Sequence, residues 1–522
     1  MSNISMIIIG AELFLTDEHL DRVPGSLCGF CCNCESRFFI YSLNFSSFLI
    51  DKIVCYFGSW STYRPDAGKF EVENIDPNLC THIIYTFVGI SEEGEVKVLD
   101  SWQDLPNDYG KNGFGRFNKL RKINPNVKTI IAIGGWNEGS TKYSRVVANP
   151  GLRAKFVQSV VNFLKKYDFD GFDVDWEYPN QRGGKADDKQ NYVSLLKELR
   201  EAFDKHGYIL SAAVGAAESS ASQSYIIPEM SKHLHLINLM AYDLHGSWES
   251  TTGINAPLYP QKGITGNNAK LTTDAAIQYW LDQGAPPEKL IVGVPFYGRS
   301  FSLQNAQNNK VGAPTTGPGM AGEYTREPGM LGYNEICKRV QSGKWTVVYD
   351  EDQRVPYAYS DNQWVGYDNP QSLKEKAEYI KAKGLGGAML WSVETDDFQG
   401  ACGEKYPLLK VLNNVLLNGP PLKPTSPTKP TESTTPTKPT KQTKSTESTA
   451  PTKPTESTTV TPPHDGICTK EGFVPDPHIC SKFYQCIRID GHFKAIEFNC
   501  PDGLVFNPKI LGCDYPSSVI CP

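Results

Sequence analysis

The chain has 522 residues with 14 cysteines, 21% charged residues and a formal net charge of -6. That length exceeds what one hydrophobic core usually supports, so two or more domains are predicted. A mildly acidic chain without a basic stripe gives no reason to expect a nucleic-acid partner.

Residues 1–51 open with MSNISMIIIGAELFLTDEH and lack the basic n-region, apolar h-region and small-residue cleavage site of a secretory leader. A later apolar run at 38–50 is interrupted by Ser and Asn and falls short of the about 20 residues a bilayer span needs. No membrane segment is therefore expected. Cys28, Cys31, Cys32 and Cys34 cluster without a second ligand group at suitable spacing, so no metal is expected there either. The segment reads as an atypical N-terminal stretch, disordered or a gene-model artefact standing in place of a signal peptide.

From Lys52 onward eight short apolar runs recur: KIVCYF from Lys52, HIIYTFVG from His82, KTIIAIGG from Lys128, GFDVDWE from Gly171, ILSAAVG from Ile209, LINLMAY from Leu236, LIVGVPF from Leu290 and GAMLW from Gly387. Such runs fit parallel strands buried on both faces. Helical stretches at 154–167 and 189–206 lie between them, and repeated βα units close naturally into a (β/α)8 barrel. The interval before the last run is too long for one helix, so residues from about 300 to 365, rich in Gly, Pro and Tyr, are predicted to form an inserted α+β subdomain that walls one side of a cleft. Functional residues of such barrels gather at the C-terminal strand ends, where this chain has Trp60, Trp136, Glu177, Tyr242, Asp243 and Trp391.

The fourth run reads DGFDVDWEY over 170–178 and holds Asp170, Asp173, Asp175 and Glu177. The last three alternate, and residues two apart on a strand share a face at roughly 6.6 Å separation. An exposed edge strand would alternate in the same way, but Phe172, Val174 and Trp176 between the acids are bulky and apolar, which predicts that both faces are covered. Like charges crowded away from water favour a proton on at least one of them. A carboxyl protonated near neutral pH is what a general acid requires. Asp170 breaks the alternation and is expected to support the start of the strand.

Residues 419–463 have almost no apolar side chains and repeat PTKPTEST from Pro427 and from Pro451. Such a stretch cannot offset its ordering entropy, which predicts a disordered Thr/Pro/Ser linker, and its composition suits O-glycosylation. Residues 464–522 contain Cys468, Cys480, Cys486, Cys500, Cys513 and Cys521. An even count in so short a segment predicts a small disulfide-rich β domain formed in oxidising, extracellular surroundings. Zinc is the competing reading, but the spacings lack a paired CxxC, and His478 and His492 are not at finger spacing.

DGFDVDWEY resembles the DxxDxDxE signature of glycoside hydrolase family 18, the chitinases. YFGSW at 56–60, IAIGGW ending at Trp136, MAYD at 240–243, VPFYGRSF at 294–301 and GAMLWSVETDD at 387–397 are similar to further segments of animal chitinases in the same order. The resemblance runs from Lys52 to about Asn418 and implies a catalytic domain at 52–418. The tail is similar to the peritrophin-A type chitin-binding domain, carbohydrate-binding module family 14.

The resemblance implies an endochitinase-type hydrolase that cleaves β-1,4-linked N-acetylglucosamine polymers with retention and needs no cofactor. Glu177 would protonate the glycosidic oxygen, the substrate's own acetamido oxygen would be the nucleophile, and Asp175 would orient the acetamide and stabilise the oxazolinium ion. Asp173 would share a proton with Asp175, and Tyr242 would bond the acetyl oxygen. Asp243, Tyr297 and Arg299 would bind the sugar, Trp391 would floor the site, and Trp60, Trp136, Tyr178, Met240 and Trp248 would line subsites. Aromatic faces suit the apolar CH faces of pyranose rings. Disulfides implied by the relatives join Cys55 with Cys80, Cys337 with Cys402, Cys468 with Cys486, Cys480 with Cys521 and Cys500 with Cys513; the spacing of the tail cysteines alone leaves fifteen pairings open. Expected partners are chitin and chito-oligosaccharides, met by a secreted monomer without nucleic-acid or membrane contacts. Rival readings are a chitinase-like lectin, a structural protein of a chitin matrix and an endo-β-N-acetylglucosaminidase acting on N-glycans.

Overall fold

The computed structural model describes residues 52–417, the strands Ser5–Ile9 and Glu12–Thr16, and in the tail Cys468 with residues 472–489, 492–500, 505–508 and 512–514. The linker expected at 419–463 and Cys28, Cys31, Cys32 and Cys34 lie outside the described residues.

Eight parallel strands form the frame: β1 (Lys52–Gly58), β2 (His82–Ile90), β3 (Lys128–Gly134), β4 (Gly171–Asp175), β5 (Ile209–Gly215), β6 (Leu236–Met240), β7 (Leu290–Pro295) and β8 (Gly387–Trp391). Each pairs with its neighbour in sequence, and β8 pairs with β1, so the sheet closes into a barrel. All eight apolar runs are strands because each is covered twice. Val54, Tyr56, Ile84, Ile130, Ala132, Ile291 and Met389 fill the barrel interior, while the alternating Ile53, Cys55, Phe57, Ile83, Ile131, Phe172 and Val292 face outward into the layer of helices. Each such large apolar side chain withdrawn from water stabilises the fold by about 1.5–3 kcal/mol.

The helix expected from residue 154 begins one turn earlier, as Pro150–Tyr167. Asn149 caps it by accepting from the N–H groups of Gly151 and Leu152, and Pro150 fits the first helical position, where no N–H is needed. Phe156, Val160, Val161, Phe163 and Leu164 turn toward the strands. The β1-to-β2 crossover departs from the βα pattern and contains only 3-10 turns. Pro65, Gly68 and Pro77 break up this stretch, and the disulfide Cys55–Cys80 ties its two ends together.

The insertion starts at the end of β7, where Tyr297–Leu303 opens an antiparallel sheet with Thr315–Pro318, Gln363–Gly366, Val355–Ser360 and Thr346–Asp350. Its helix, Tyr333–Gln341, is held to the segment after β8 by the disulfide Cys337–Cys402. The chain returns to the barrel through the helix Pro370–Ala382. Inside that helix the buried Lys376 donates to the Asp368 carboxylate and to the carbonyl of Ala256, both at 2.7 Å. A buried charge needs such pairing to be tolerated, and this pair also pins the long β6-to-β7 loop in place.

The tail forms a separate unit. Gly472–Pro475, Lys482–Ile489 and His492–Asn499 make a three-stranded antiparallel sheet, and Val505–Asn507 pairs with Gly512–Asp514. Cys468 is bonded to Cys486. Cys480 and Cys500 are each in a disulfide, while the side chain of Cys513 and the whole of Cys521 lie outside the described residues. Phe483 stacks on Phe506 with ring centroids 4.4 Å apart. Near the N-terminus, where disorder was expected, Ser5–Ile9 pairs antiparallel with Glu12–Thr16. The apolar stretches SMIII and ELFLT flank Gly10 and Ala11, which is a hairpin pattern.

Candidate active site

The alternating acids of β4 run from the barrel interior to its C-terminal rim. Asp173 is fully buried and gripped by three donors from three other strands. The Tyr56 hydroxyl reaches Oδ2 at 2.7 Å, and the Ser211 hydroxyl and Asn238 amide reach Oδ1 at 2.5 and 3.2 Å. Burial pushes its carboxyl up to about 6, against the pull of those three bonds. Asp175, one step nearer the rim, is also buried, yet its Oδ1 has no hydrogen-bond partner among the described residues. Burial, and then repulsion from Glu177 and Asp173, holds this carboxyl well above the usual range.

Glu177 lies two residues beyond the strand and is half-buried. Burial pushes it up to about 7; the Tyr178 hydroxyl and the Arg182 guanidinium draw it back, and the Asp243 carboxylate adds to the rise. A carboxyl poised there is still protonated in part at neutral pH, which suits a proton donor. Asp170 takes no part in the cleft. At the base of the barrel it pairs with Arg121 at 2.9 Å and accepts from the Thr129 N–H at 2.8 Å, fastening β4 to β3.

Two glycines fit the end of β3 against this row. Gly134 has φ 111°, and a Cβ there would sit 2.1 Å from the Asp175 carbonyl. Gly135, with φ 79°, donates its N–H to that same carbonyl at 2.8 Å. Only glycine adopts this turn without strain, and the turn delivers Trp136 to the rim.

Across the cleft, Tyr242 is almost wholly buried, and its hydroxyl meets the Met389 sulfur at 3.7 Å, a weak acceptor that leaves the O–H free to prefer a better one. Asp243 has a left-handed φ of 54°. Its N–H donates to the Asn255 side chain at 2.8 Å, and the Asn255 amide donates to the Tyr297 carbonyl at 3.0 Å. The Asp243 carboxylate accepts the Tyr297 hydroxyl at 2.7 Å and two Arg299 N–H groups, each at 2.7 Å. Such a bidentate pair fixes geometry as well as charge.

Trp391 is half-buried against Tyr56, Phe87 and Trp60, with ring centroids 5.6, 5.8 and 6.1 Å away. Trp60, Trp136 and Trp248 keep 42, 58 and 61% of their surface exposed, so these rings are not core. Met240 packs against the barrel interior. Tyr178 is half-buried, packs against the strand–helix layer and interacts through its hydroxyl with Glu177.

Several site residues escaped the sequence reading: Ser211, Asn238, Phe87, Arg182 and Asn255. A signal existed for two of them. Ser211 and Asn238 are polar interruptions within buried apolar runs, and a buried polar residue needs a partner. Among the described residues, Cys337, Asp397 and Cys402 lie close enough to hold a metal ion, but the two cysteines are bonded to each other and offer no thiolate.

A closed barrel with a graded row of carboxyls at the end of its fourth strand and aromatic rings around the rim defines an acid-catalysing enzyme for carbohydrate substrates. Residues 52–396 match the Glycosyl hydrolases family 18 model, and residues 468–521 match the Chitin binding Peritrophin-A domain. The chain belongs to glycosyl hydrolases family 18. It is 40% identical to an endochitinase of Manduca sexta over 531 aligned positions, covering 90% of this chain and 94% of the relative. It is 42% identical to probable chitinase 2 of Drosophila melanogaster, covering 71% of this chain and 81% of that protein. Among solved structures, the Group IV chitinase of Ostrinia furnacalis superposes with a TM-score of 0.68 at 46% identity, over 70% of this chain and all of that one.

Proposed function

We propose that the protein is an endochitinase-type hydrolase that cuts β-1,4 links between N-acetylglucosamine units by substrate-assisted, retaining catalysis. Glu177 gives its proton to the glycosidic oxygen as the C1–O bond breaks. The acetamido carbonyl oxygen of the same sugar closes on C1, forming an oxazolinium ion. Asp175 accepts the acetamide N–H and offsets the positive charge, Asp173 takes up or releases the proton they share, and Tyr242 donates to the acetyl oxygen. Glu177, now a carboxylate, draws a proton from water as that water attacks C1, and the product keeps the β configuration. One observation carries this reading: the Asp175 oxygen that is buried and, among the described residues, unpartnered, on a carboxyl that interacts with Glu177. Such an acceptor is costly to leave unmade, and a substrate N–H satisfies it.

Asp243, Tyr297 and Arg299 bind sugar hydroxyls, Trp391 floors the cleft, and Trp60, Trp136 and Trp248 carry neighbouring rings. A lectin without catalysis is disfavoured because acid, orienting aspartate and tyrosine are all in place, and an N-glycan endoglycosidase would not need the exposed tryptophans or the tail. Residues 419–463 act as the linker, and the tail anchors the enzyme to chitin outside the cell. Among the described residues no helix is long and apolar enough to cross a membrane. The deciding experiment is Glu177→Gln with chitohexaose. Turnover is expected to fall by orders of magnitude while calorimetric binding persists; unchanged turnover rules Glu177 out as the acid.

A further inference from the structure

We infer that Arg182 is a positioning residue that locks the Trp136 ring and the Glu177 main chain into one unit, so that platform and proton donor are set in place together. Its guanidinium lies 3.5 Å from the centroid of the Trp136 ring, a stacking distance for a cation on an indole. The same group donates from Nη1 to the Trp136 carbonyl at 2.7 Å and to the Glu177 carbonyl at 3.0 Å. One side chain thus bridges the ends of β3 and β4 at the two residues that matter most there. It also covers one face of Trp136, leaving the other for a pyranose ring.

The loop that presents Arg182 is itself held firmly. Arg182 adopts φ 50°, and its neighbours Asn180 and Gly183 are left-handed as well, at 64° and 90°. A non-glycine residue in that region persists only where its surroundings over-determine it. Here the buried Asp188 carboxylate accepts the N–H groups of Asn180 and Lys185 at 3.2 and 2.7 Å and the Ser144 hydroxyl at 2.8 Å. The Gln181 amide donates to the hydroxyls of Ser220 and Ser224 at 2.9 and 2.8 Å. An exposed arginine needs no such scaffold for solubility, whereas a planar fork that must meet one ring and two carbonyls does.

The inference rests on Glu177 and Trp136 serving as acid and platform, and its test separates the two. Binding of chitohexaose is measured by calorimetry in a Glu177→Gln background, with Arg182→Ala, Trp136→Ala and the double variant forming a cycle. Arg182→Ala is expected to weaken binding roughly 2- to 10-fold when Trp136 is present, the entropic cost of ordering a loosened side chain, and to add almost nothing once Trp136 is gone. Equal loss in both backgrounds, or none in either, overturns the inference. The second readout is the pH profile of the otherwise native enzyme. Glu177 is faced by Asp175 from β4, by Tyr178 and Arg182 from the loop after it, by Tyr225 from the β5-to-β6 connection, and by Tyr242 and Asp243 from the end of β6, so Arg182 is the one cation of the set. Arg182→Ala moves the alkaline limb upward and Arg182→Lys leaves it nearly in place; a limb unmoved by Arg182→Ala also counts against the inference. Should Glu177→Gln keep full turnover, the acid assignment falls, while the binding cycle, which needs no turnover, still reports on the stack.

Discussion

Asp175→Asn is expected to abolish turnover and at the same time make the barrel more stable. The wild-type side chain is 3% exposed, one of its oxygens has no partner among the described residues, and it lies between Asp173 and Glu177. A buried acceptor left unsatisfied costs about 1–3 kcal/mol, and more when it is charged; asparagine keeps the shape and still carries an oxygen acceptor, so the gain comes from removing the charge and is taken at about that size. With an unfolding entropy of about 2.1 cal/mol/K per residue over roughly 370 residues, a gain of that size raises Tm by about 1–4 °C. The pH dependence has a definite sign. The folded pKa of Asp175 is raised above its unfolded value of about 3.9, so the native state holds the proton more tightly and wild-type stability falls as pH rises out of the acid range toward the folded value. Below about 4 both states are protonated and the penalty is absent. Thermal melts of the two proteins should therefore nearly coincide at pH 4 and diverge by pH 8, with the variant higher. A variant that melts lower at pH 8, or by the same margin at every pH, refutes the picture of a strained buried carboxylate kept for chemistry.

Turnover should also decline as pH rises through about 7, because Glu177 must carry a proton to donate one; a kcat/KM profile flat from pH 6 to pH 9 would exclude a proton donor with that pKa. Deleting residues 419–522 should leave the rate on chitotetraose within about twofold, since a soluble oligomer reaches the cleft by diffusion, yet lower adsorption to insoluble chitin, where a tethered module raises local concentration. Equal adsorption of the truncated protein would transfer the anchoring role to the cleft tryptophans.

The barrel could be read from the sequence because double-sided burial produces continuous apolar runs, and β4 stood out because acids have no packing reason to occupy such a run. The connections were less readable. The Cys55–Cys80 bond in the β1-to-β2 segment was expected from the resemblance and is formed, but the repeated βα pattern gave a helix where 3-10 turns stand, because Pro65, Gly68 and Pro77 break up the stretch. Neither Arg182 nor Asn255 carries a periodic signal that would single it out. Their roles depend on Trp136, Asp243 and Tyr297, which meet them through tertiary contacts 12 to 46 residues away in the chain.

The same limit bears on the carboxylate row itself. Period-two spacing presents Asp173, Asp175 and Glu177 as three equivalent acids, and the structure makes them different without altering that spacing. Asp173 is satisfied by donors from β1, β5 and β6, Asp175 receives none at Oδ1, and Glu177 reaches the rim. The donors to Asp173 come from positions 117, 38 and 65 residues away, so only closure of the barrel brings them to it. With Asp173 anchored and Asp175 left wanting a donor, the row has one fixed end and one responsive member beside the acid. A substrate N–H can then bring to Asp175 what the protein withholds. The roles of the three acids are therefore set by the neighbours each is given, and an exchange of those neighbours would change which acid does what.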